Sequence, residues 1–170
     1  MDLDAIEVLA HRELSGRREQ DFREPGWLYY HGRRTGRIAR RLAQELDLDV
    51  DGDALYVAGL FHDVGKGRPR HHETGAQQAW ALLGELVSPA PLEAICQAIA
   101  RHNQRPAAAD HTDMDRVLQD ADVLDHAGLI AVWMAFHWCG NHGESIHEHL
   151  AWVRGDAYRQ QREDMRARLN

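Results

Sequence analysis

Cysteine is scarce in this sequence of 170 residues, which contains two, Cys96 and Cys139, far apart and in no CxxC pair. That count argues against a disulfide framework and against a zinc site built on paired cysteines. Apolar runs also fall short of the roughly 20 residues that a membrane-spanning helix requires. The N-terminal stretch MDLDAIEVLAHREL is acidic and amphipathic rather than signal-like, so we expect a cytoplasmic protein that does not bind membranes.

Basic residues are outnumbered, with 20 lysines and arginines against 27 aspartates and glutamates and a formal net charge of -7. A protein that binds a nucleic-acid polymer normally carries a basic excess, because it neutralises backbone phosphates. The acidic balance therefore argues against a nucleic-acid partner, whereas a small anionic ligand held by local cations is compatible with it. The only lysine in the sequence is Lys66.

Alternating apolar and polar residues of the kind that form strands are missing, and helical periodicity dominates the sequence. Turn-forming clusters of Gly, Pro, Asn and Asp separate the periodic segments. We therefore predict a single all-α domain over residues 1–170, a compact fold of about six to seven helices. The predicted helices lie near residues 3–14, 27–46, 53–64, 73–86, 90–103, 114–137 and 145–168.

Histidine is abundant, with 12 residues, and several of them fall on apolar helical stripes. His31 and His102 lie on such stripes, which directs both side chains toward the interior. The apolar run LYVAGLF carries His62 and its neighbour Asp63 inward at the end of a predicted helix. Asp122 lies in the apolar seam of a later helix, where a carboxylate is costly unless it is paired or binds a metal.

A divalent metal ion would explain why these five groups are buried together. Neutral imidazole and carboxylate ligands suit Mn, Fe, Ni, Co or Zn, and Mg is compatible with the carboxylates. Each residue alone has a more ordinary interpretation: a hydrogen-bonded core histidine, a buried His62–Asp63 ion pair, or a pairing of Asp122 with Arg34. Their coincidence favours the metal site.

Cations follow the His62–Asp63 pair closely. Lys66 and Arg68 lie in the next loop, and Arg34 lies one helical turn after an inward histidine. Arginine binds phosphate through two hydrogen bonds and lysine acts as a point charge, so these cations indicate a phosphorylated substrate. The ordinary alternatives are a solvated loop residue for Arg68 and a solvated helix face for Arg34.

The ordered set of His31, His62-Asp63 and Asp122 resembles the HD superfamily of metal-dependent phosphohydrolases. The most specific segments are AGLFHDVGKG and VLQDADVLDHAGLIAV, the second being similar to a segment whose second aspartate binds metal in small bacterial members. The resemblance spans about residues 27–135 and implies an all-α HD fold with helical extensions at both ends. It also implies that the four residues of the set bind the metal.

Two further segments are similar to HD proteins with a two-metal centre. HHETGA and AIARHN map onto a second pair of ligands, His71 and His102, with Asp63 bridging both ions. Helical phase does not choose between His71 and His72, and the resemblance alone favours His71. Because seven residues separate Asp63 from His71, fewer than in many relatives, we expect one ion and leave a second open.

The predicted activity is hydrolysis of a phosphate ester or anhydride of a small molecule, a nucleotide in the first place, by metal-bound hydroxide. Asp63 would bind the metal, and Lys66 would offset charge that develops on the phosphoryl oxygens. The resemblance leaves two alternatives, a di-iron oxygenase and a catalytically silent nucleotide-sensing domain. We also allow for a homodimer, because the apolar segment LIAVWMAFHW (129–138) could bury part of an interface.

A histidine-rich segment, HWCGNHGESIHEH, contains further candidate zinc ligands. They are Cys139, His142, His147 and His149. Because the segment lacks a paired-cysteine half-site, a surface loop is its more ordinary interpretation, and zinc binding is a minor alternative.

Overall fold

The computed structural model describes residues 1–18, 24–105 and 107–170. Nine α-helices and no strand occur in these ranges, which confirms the predicted all-α class. No helix within them is suited by length and apolarity to cross a membrane. The helices are α1 (Leu3–Leu14), α2 (Trp27–Glu45), α3 (Gly52–Phe61), α4 (His71–Leu83), α5 (Pro89–Arg101), α6 (Asp113–Asp125), α7 (Leu129–His142), α8 (Ile146–Val153) and α9 (Asp156–Arg166).

The helix count in the described residues exceeds the predicted six to seven because two long predicted helices are each interrupted at a glycine. The segment predicted near 114–137 forms α6 and α7, which meet at Gly128, whose φ of 67° is a conformation that favours glycine. The segment predicted near 145–168 forms α8 and α9, which meet at Gly155, a residue of low helix propensity. The prediction was wrong to continue each helix across its glycine.

Helices α2 and α3 cross at the centre of the fold. The whole of α3 from Ala54 to Phe61 is buried, and α2 presents small residues to it. A Cβ on Gly32 of α2 or on Gly59 of α3 would collide with the backbone of the partner helix. The two backbones therefore approach closely, and this crossing brings His31 of α2 next to His62, which follows α3.

A methyl group added at the crossing should be costly. Gly59→Ala is expected to lower the free energy of unfolding by about 1–3 kcal/mol, because the new Cβ overlaps main-chain atoms that cannot rotate away. Urea unfolding followed by circular dichroism measures the change. The matched control is Gly140→Ala in α7, where nothing lies within 4 Å of the added Cβ and helix propensity favours alanine by about 0.5–1 kcal/mol. Equal destabilisation of both variants would contradict the close crossing.

The hydrophobic core of the described residues draws on α1 to α6, whereas the last three helices pack less closely. Helix α7 is strongly apolar, yet Leu129, Val132, Trp133 and Phe136 are between 50% and 87% exposed. Their spacing places these four side chains on one face of the helix. An apolar face of α7 is thus left in contact with solvent in the single chain.

Candidate metal centre

Four residues predicted to bind the first metal meet between α2, α3 and α6. His31 Nε2 lies 3.1 Å from His62 Nε2 and 3.2 Å from Asp122 Oδ1. His62 Nε2 lies 3.5 Å from the same Asp122 oxygen and 3.9 Å from Asp63 Oδ2. Ligands bound at about 2.1 Å to one cation lie roughly 3.0–3.5 Å apart at octahedral or tetrahedral angles. The spacing of His31, His62 and Asp122 therefore suits ligands of a single divalent ion, and Asp63 lies a few tenths of an ångström farther out.

The histidine rings of the cluster are oriented by hydrogen bonds on the nitrogen that faces away from it. In His62 and in His102, Nδ1 lies 2.7 Å from the main-chain carbonyl oxygen three residues earlier. His31 Nδ1 lies 2.7 Å from Asp125 Oδ2. Donation from Nδ1–H leaves Nε2 as the lone-pair nitrogen, and this arrangement is the usual one for metal-binding histidines.

His62 and His102 occupy equivalent places in their local structure. Each is the residue that directly follows the last residue of its helix, α3 or α5, whereas the sequence predicted both inside helices that continue for one or two more residues. A carbonyl near a helix end lacks an intrahelical partner, and here the imidazole supplies one. The helix end thereby fixes the ring that faces the cluster.

Asp63 faces a second pair of histidines with its other oxygen. Asp63 Oδ1 lies 3.4 Å from His71 Nε2 and 3.8 Å from His102 Nε2. His72 is turned toward another carboxylate, with Nε2 3.7 Å from Glu73 Oε1. The described residues thus contain a second potential metal-binding group composed of Asp63, His71 and His102, which is the set that the resemblance implied.

A close backbone contact places His71 beside Asp63 despite the short connection between them. A Cβ on Gly65 would come within 2.6 Å of the Gly75 amide nitrogen and would collide with the carbonyl oxygen of His71. The loop after Asp63 therefore lies directly on the first turns of α4. Seven intervening residues are enough because both facing positions are glycine.

The carboxylates of Asp63 and Asp122 are held ionised although both are buried. Burial alone would raise the pKa of Asp122, but hydrogen bonds and charge from His31 and His62 hold it well below its ordinary value. Burial is likewise outweighed at Asp63, where His62 and Lys66 lower the pKa. The cluster thus presents two negative charges at neutral pH, which favour a bound cation.

The imidazoles of the two groups differ in protonation. Burial lowers the pKa of His102 to about 3 and also lowers the pKa of His71, so both rings are neutral at pH 7. Burial would lower the pKa of His31 as well, but hydrogen bonds to Asp122 and Asp125 raise it to about 9. A cation held by His31 Nε2 would take the place of that proton, and the donor set as a whole fits a divalent transition metal.

Arginines neutralise the outer oxygens of the aspartates. Arg34 donates from Nε and Nη2 to both oxygens of Asp125 at 2.7 and 3.0 Å, and Arg105 donates from Nη2 to Asp122 Oδ2 at 2.7 Å. Asp122 therefore pairs with Arg105, and the alternative pairing with Arg34 was wrong. The Asp125 carboxylate joins Arg34 to the Nδ1 of His31 and so holds that ring in place.

Three residues around the cluster were not predicted from the sequence to take part in it: Asp125, His126 and Arg105. The His126 ring stacks on His31 with centroids 5.0 Å apart, and it could bind a metal together with His31 and Asp122. Asp125 and His126 are three and four residues after Asp122, so helical spacing could have found both. Arg105 lies in the irregular segment after α5, where no periodicity indicates its direction.

The loop after Asp63 also borders a cleft of about 370 Å³. Lys66 and Arg68 line the cleft together with Arg17, whose guanidinium donates to the main-chain carbonyls of Val64 and Lys66 at 2.5 and 2.6 Å. Lys66 Nζ lies 3.1 Å from Asp63 Oδ2, so Lys66 belongs to the cluster and to the cleft. Arg68 borders the cleft, and its predicted contact with a substrate phosphate stays a prediction.

Comparison with known proteins identifies the arrangement. The HD domain family model matches residues 28–127, a range that includes all six predicted metal ligands. A solved structure from an uncultured Thermotogales bacterium, described as a predicted HD superfamily hydrolase, is similar in fold with a TM-score of 0.60. The two chains are 24% identical, and the match covers 80% of this chain and 75% of the other. This chain therefore belongs to the HD domain family.

Proposed function

We propose that this protein is a metal-dependent phosphohydrolase that acts on a small phosphorylated molecule, a nucleotide in the first place. The observation that carries the proposal is the position of the Asp63 carboxylate between two histidine groups. Its Oδ2 lies 3.9 Å from His62 Nε2, its Oδ1 lies 3.4 Å from His71 Nε2, and Lys66 Nζ lies 3.1 Å from Oδ2. A carboxylate that faces two groups in this way supports a two-cation centre in which Asp63 is the shared ligand.

Divalent cations bound at this centre would lower the pKa of water toward about 7 and so supply hydroxide for attack on phosphorus. Asp125 and Arg105 act on the ligands, since one orients His31 and the other neutralises the outer oxygen of Asp122. Six side chains would hold the cations: His31, His62, Asp63 and Asp122 the first, and Asp63, His71 and His102 the second.

The cluster is accessible from the side of Lys66 and His71. Their side chains are 36% and 23% exposed, whereas those of His31, His62 and His102 are 2% exposed or less. A substrate phosphate that approaches from this side meets the Lys66 ammonium, which offsets negative charge on the phosphoryl oxygens.

The structure supports the two arginines that were predicted to contact a substrate phosphate to different degrees. Arg68 lines the cleft beside Lys66, which supports a contact with a further phosphate of a nucleotide. Arg34 is held by both oxygens of Asp125, which supports a positioning role toward His31 more than a contact with substrate.

A screen of metals against substrates tests the proposed function. Purified protein is stripped with a chelator, reloaded with Mn, Co, Ni, Zn, Mg or Fe(II), and assayed with a generic phosphate ester and with nucleoside mono- and triphosphates. We expect phosphate release that requires metal and is fastest with a nucleotide. The absence of release in every combination would contradict the proposal in favour of a silent sensing domain. A mixed-valent di-iron centre without phosphate release would contradict it in favour of an oxygenase.

The role of Lys66 can be separated from metal binding. Lys66→Gln is expected to lower kcat about a hundredfold at unchanged metal content, because one preorganised charge on the developing transition state is lost. Lys66→Arg keeps a cation at the position and should retain most of the activity. Steady-state kinetics and metal analysis are measured on the same samples. Loss of metal in Lys66→Gln would show instead that the ammonium holds the Asp63 carboxylate in position to bind metal.

The exposed apolar face of α7 supports the predicted homodimer. It consists of Leu129, Val132, Trp133 and Phe136, which are 50–87% exposed. Their combined exposed area is on the order of 500 Å², a large part of the roughly 800 Å² that each partner contributes to a standard interface.

Charge on this surface should therefore dissociate the dimer. Leu129→Glu with Phe136→Glu is expected to change the mass in sedimentation equilibrium from twice that of one chain to that of one chain. Val8→Glu is the matched control, because Val8 is also apolar and 71% exposed but lies on α1. A monomeric wild-type protein, or dissociation by the control alone, would contradict the prediction.

A further inference from the structure

The buried residues of the hairpin formed by α7 and α8 are a cysteine and a histidine, whereas Ile130 and Met134 of α7 are partly buried against the main core. Of all the residues of these two helices, Cys139 is the buried one in α7 and His149 is the buried one in α8. Large apolar neighbours such as Trp138 and Ile146 are more than 40% exposed. Small units without a sufficient core commonly depend on a crosslink or a metal ion for stability.

Glu144 lies between the two buried side chains. Its Oε2 accepts from the thiol of Cys139 at 3.5 Å and lies 3.2 Å from His149 Nδ1. One ligand atom from each of the three residues lies within 4.8 Å of the others. For zinc bonds of about 2.0 Å to oxygen and nitrogen and 2.3 Å to sulfur, tetrahedral angles place such atoms roughly 3.3–3.5 Å apart.

The backbone between the helices brings these residues together. Gly143 ends α7 with a φ of 67°, and the amide of Glu144 donates to the carbonyl of Cys139 at 3.0 Å. Ser145 caps α8 through a capping box with Glu148. The turn thus directs Glu144 back over Cys139, and His149 follows one turn into α8, so the backbone of the turn brings all three residues to one place.

We propose that Cys139, Glu144 and His149 bind a zinc ion that fastens α7 to α8. Thiolate, carboxylate and imidazole are all zinc ligands, and three protein ligands leave a fourth position to solvent. On binding, the thiol proton is released to solvent and the zinc–sulfur bond forms. This set differs from the one considered in the sequence, because His142 stacks on Trp138 and His147 is exposed.

Cobalt(II) spectroscopy distinguishes this site from the HD centre, whose proposed ligands contain no sulfur. We expect protein titrated with cobalt to show near-ultraviolet sulfur-to-cobalt charge-transfer absorption. Its final intensity should correspond to about one thiolate-bound cobalt per chain, and in the His62→Ala, Asp63→Ala variant it should saturate at about one added equivalent. The absorption should persist in a His62→Ala, Asp63→Ala variant and in Cys96→Ala, which removes the other cysteine. It should be lost in Cys139→Ala, and cobalt affinity at this site should fall at least tenfold in His149→Gln, which keeps the thiol.

Zinc affinity and thermal stability provide the second measurement. Zinc at micromolar concentration should raise the melting temperature of the wild type and of the His62→Ala, Asp63→Ala variant by several degrees, but not that of Cys139→Ala. Absence of the charge-transfer absorption in the wild-type protein would overturn the proposal. So would absorption that needs millimolar cobalt or survives in Cys139→Ala. Both measurements include the His62→Ala, Asp63→Ala variant, which lacks ligands of the HD centre. A negative result for the zinc site therefore does not bear on the proposed phosphohydrolase activity.

Discussion

A His62→Ala, Asp63→Ala variant is expected to lose its bound metal and to release phosphate at less than about a thousandth of the wild-type rate. Asp63 is the one proposed ligand shared by both cations, and His62 is a further ligand of the first. Loss of both leaves His31 and Asp122 for the first cation, which is too few for tight binding at neutral pH. Metal analysis of the HD centre and an assay with the best substrate measure the two effects.

The fold of this variant should persist. Buried charges that are balanced by their partners contribute little net stability, so their joint replacement by alanine costs less than removal of either partner alone. We expect the melting temperature without added metal to change by a few degrees. In a Cys139→Ala background, which removes the hairpin site, the increase that metal produces should disappear when His62 and Asp63 are also replaced. His11→Ala with Asp4→Ala is the control, because both residues are exposed on α1 and should leave metal and activity unchanged. Full occupancy of the HD centre in the double variant would contradict the ligand assignment.

Apolar patterning was enough to predict which histidines face the interior. His31, His62 and His102 were predicted to do so, and each is 1% exposed. Apolar stripes fix the direction of His31 and His102, because one face of an amphipathic helix must be buried, and the continuous apolar run LYVAGLF carries His62 inward. The same rule predicted an interior position for Asp122, which is 8% exposed.

Contacts between backbones could not be predicted in this way. The choice of His71 over His72 depends on the loop at Gly65, which lies against Gly75. Helical periodicity does not predict such a contact between two backbones. The short connection from Asp63 to His71 therefore argued against a second metal in the sequence, although the structure brings the two side chains within 3.4 Å. The sequence contains both glycines, but nothing in its pattern indicates that their backbones are in contact.

Residues that pair with the proposed metal ligands also could not be predicted where they lie outside a helix. Arg105 reaches Asp122 from an irregular segment, so neither spacing nor composition indicated the pair. Asp125 and His126, by contrast, lie on the same helical side as Asp122, so their spacing from it could have indicated both. Sequence periodicity thus predicts the inward groups, whereas the ion pairs that orient them require the tertiary structure.

The number of metals depends on the second histidine pair, and replacing that pair should have the next largest effect. His71→Gln with His102→Gln is expected to lower the metal content of the HD centre from about two ions per chain to about one, and turnover by about a hundredfold or more. Glutamine keeps a polar group near the carbonyl that accepts from His102, so circular dichroism should show an unchanged helical signal. The first cation should remain because its four ligands are untouched.

His72→Gln is the matched control for this variant. His72 precedes Glu73 in the same turn of α4 and faces its carboxylate, so its replacement should leave both metal content and turnover near wild-type values. Metal analysis with the Cys139→Ala background removes any contribution from the α7–α8 hairpin. If His72→Gln lost one ion and the His71, His102 variant kept two, the second site would be assigned to the wrong histidine. If the wild-type HD centre bound one ion and the His71, His102 variant matched its turnover, the protein would be a one-metal enzyme in which Asp63 binds through a single oxygen.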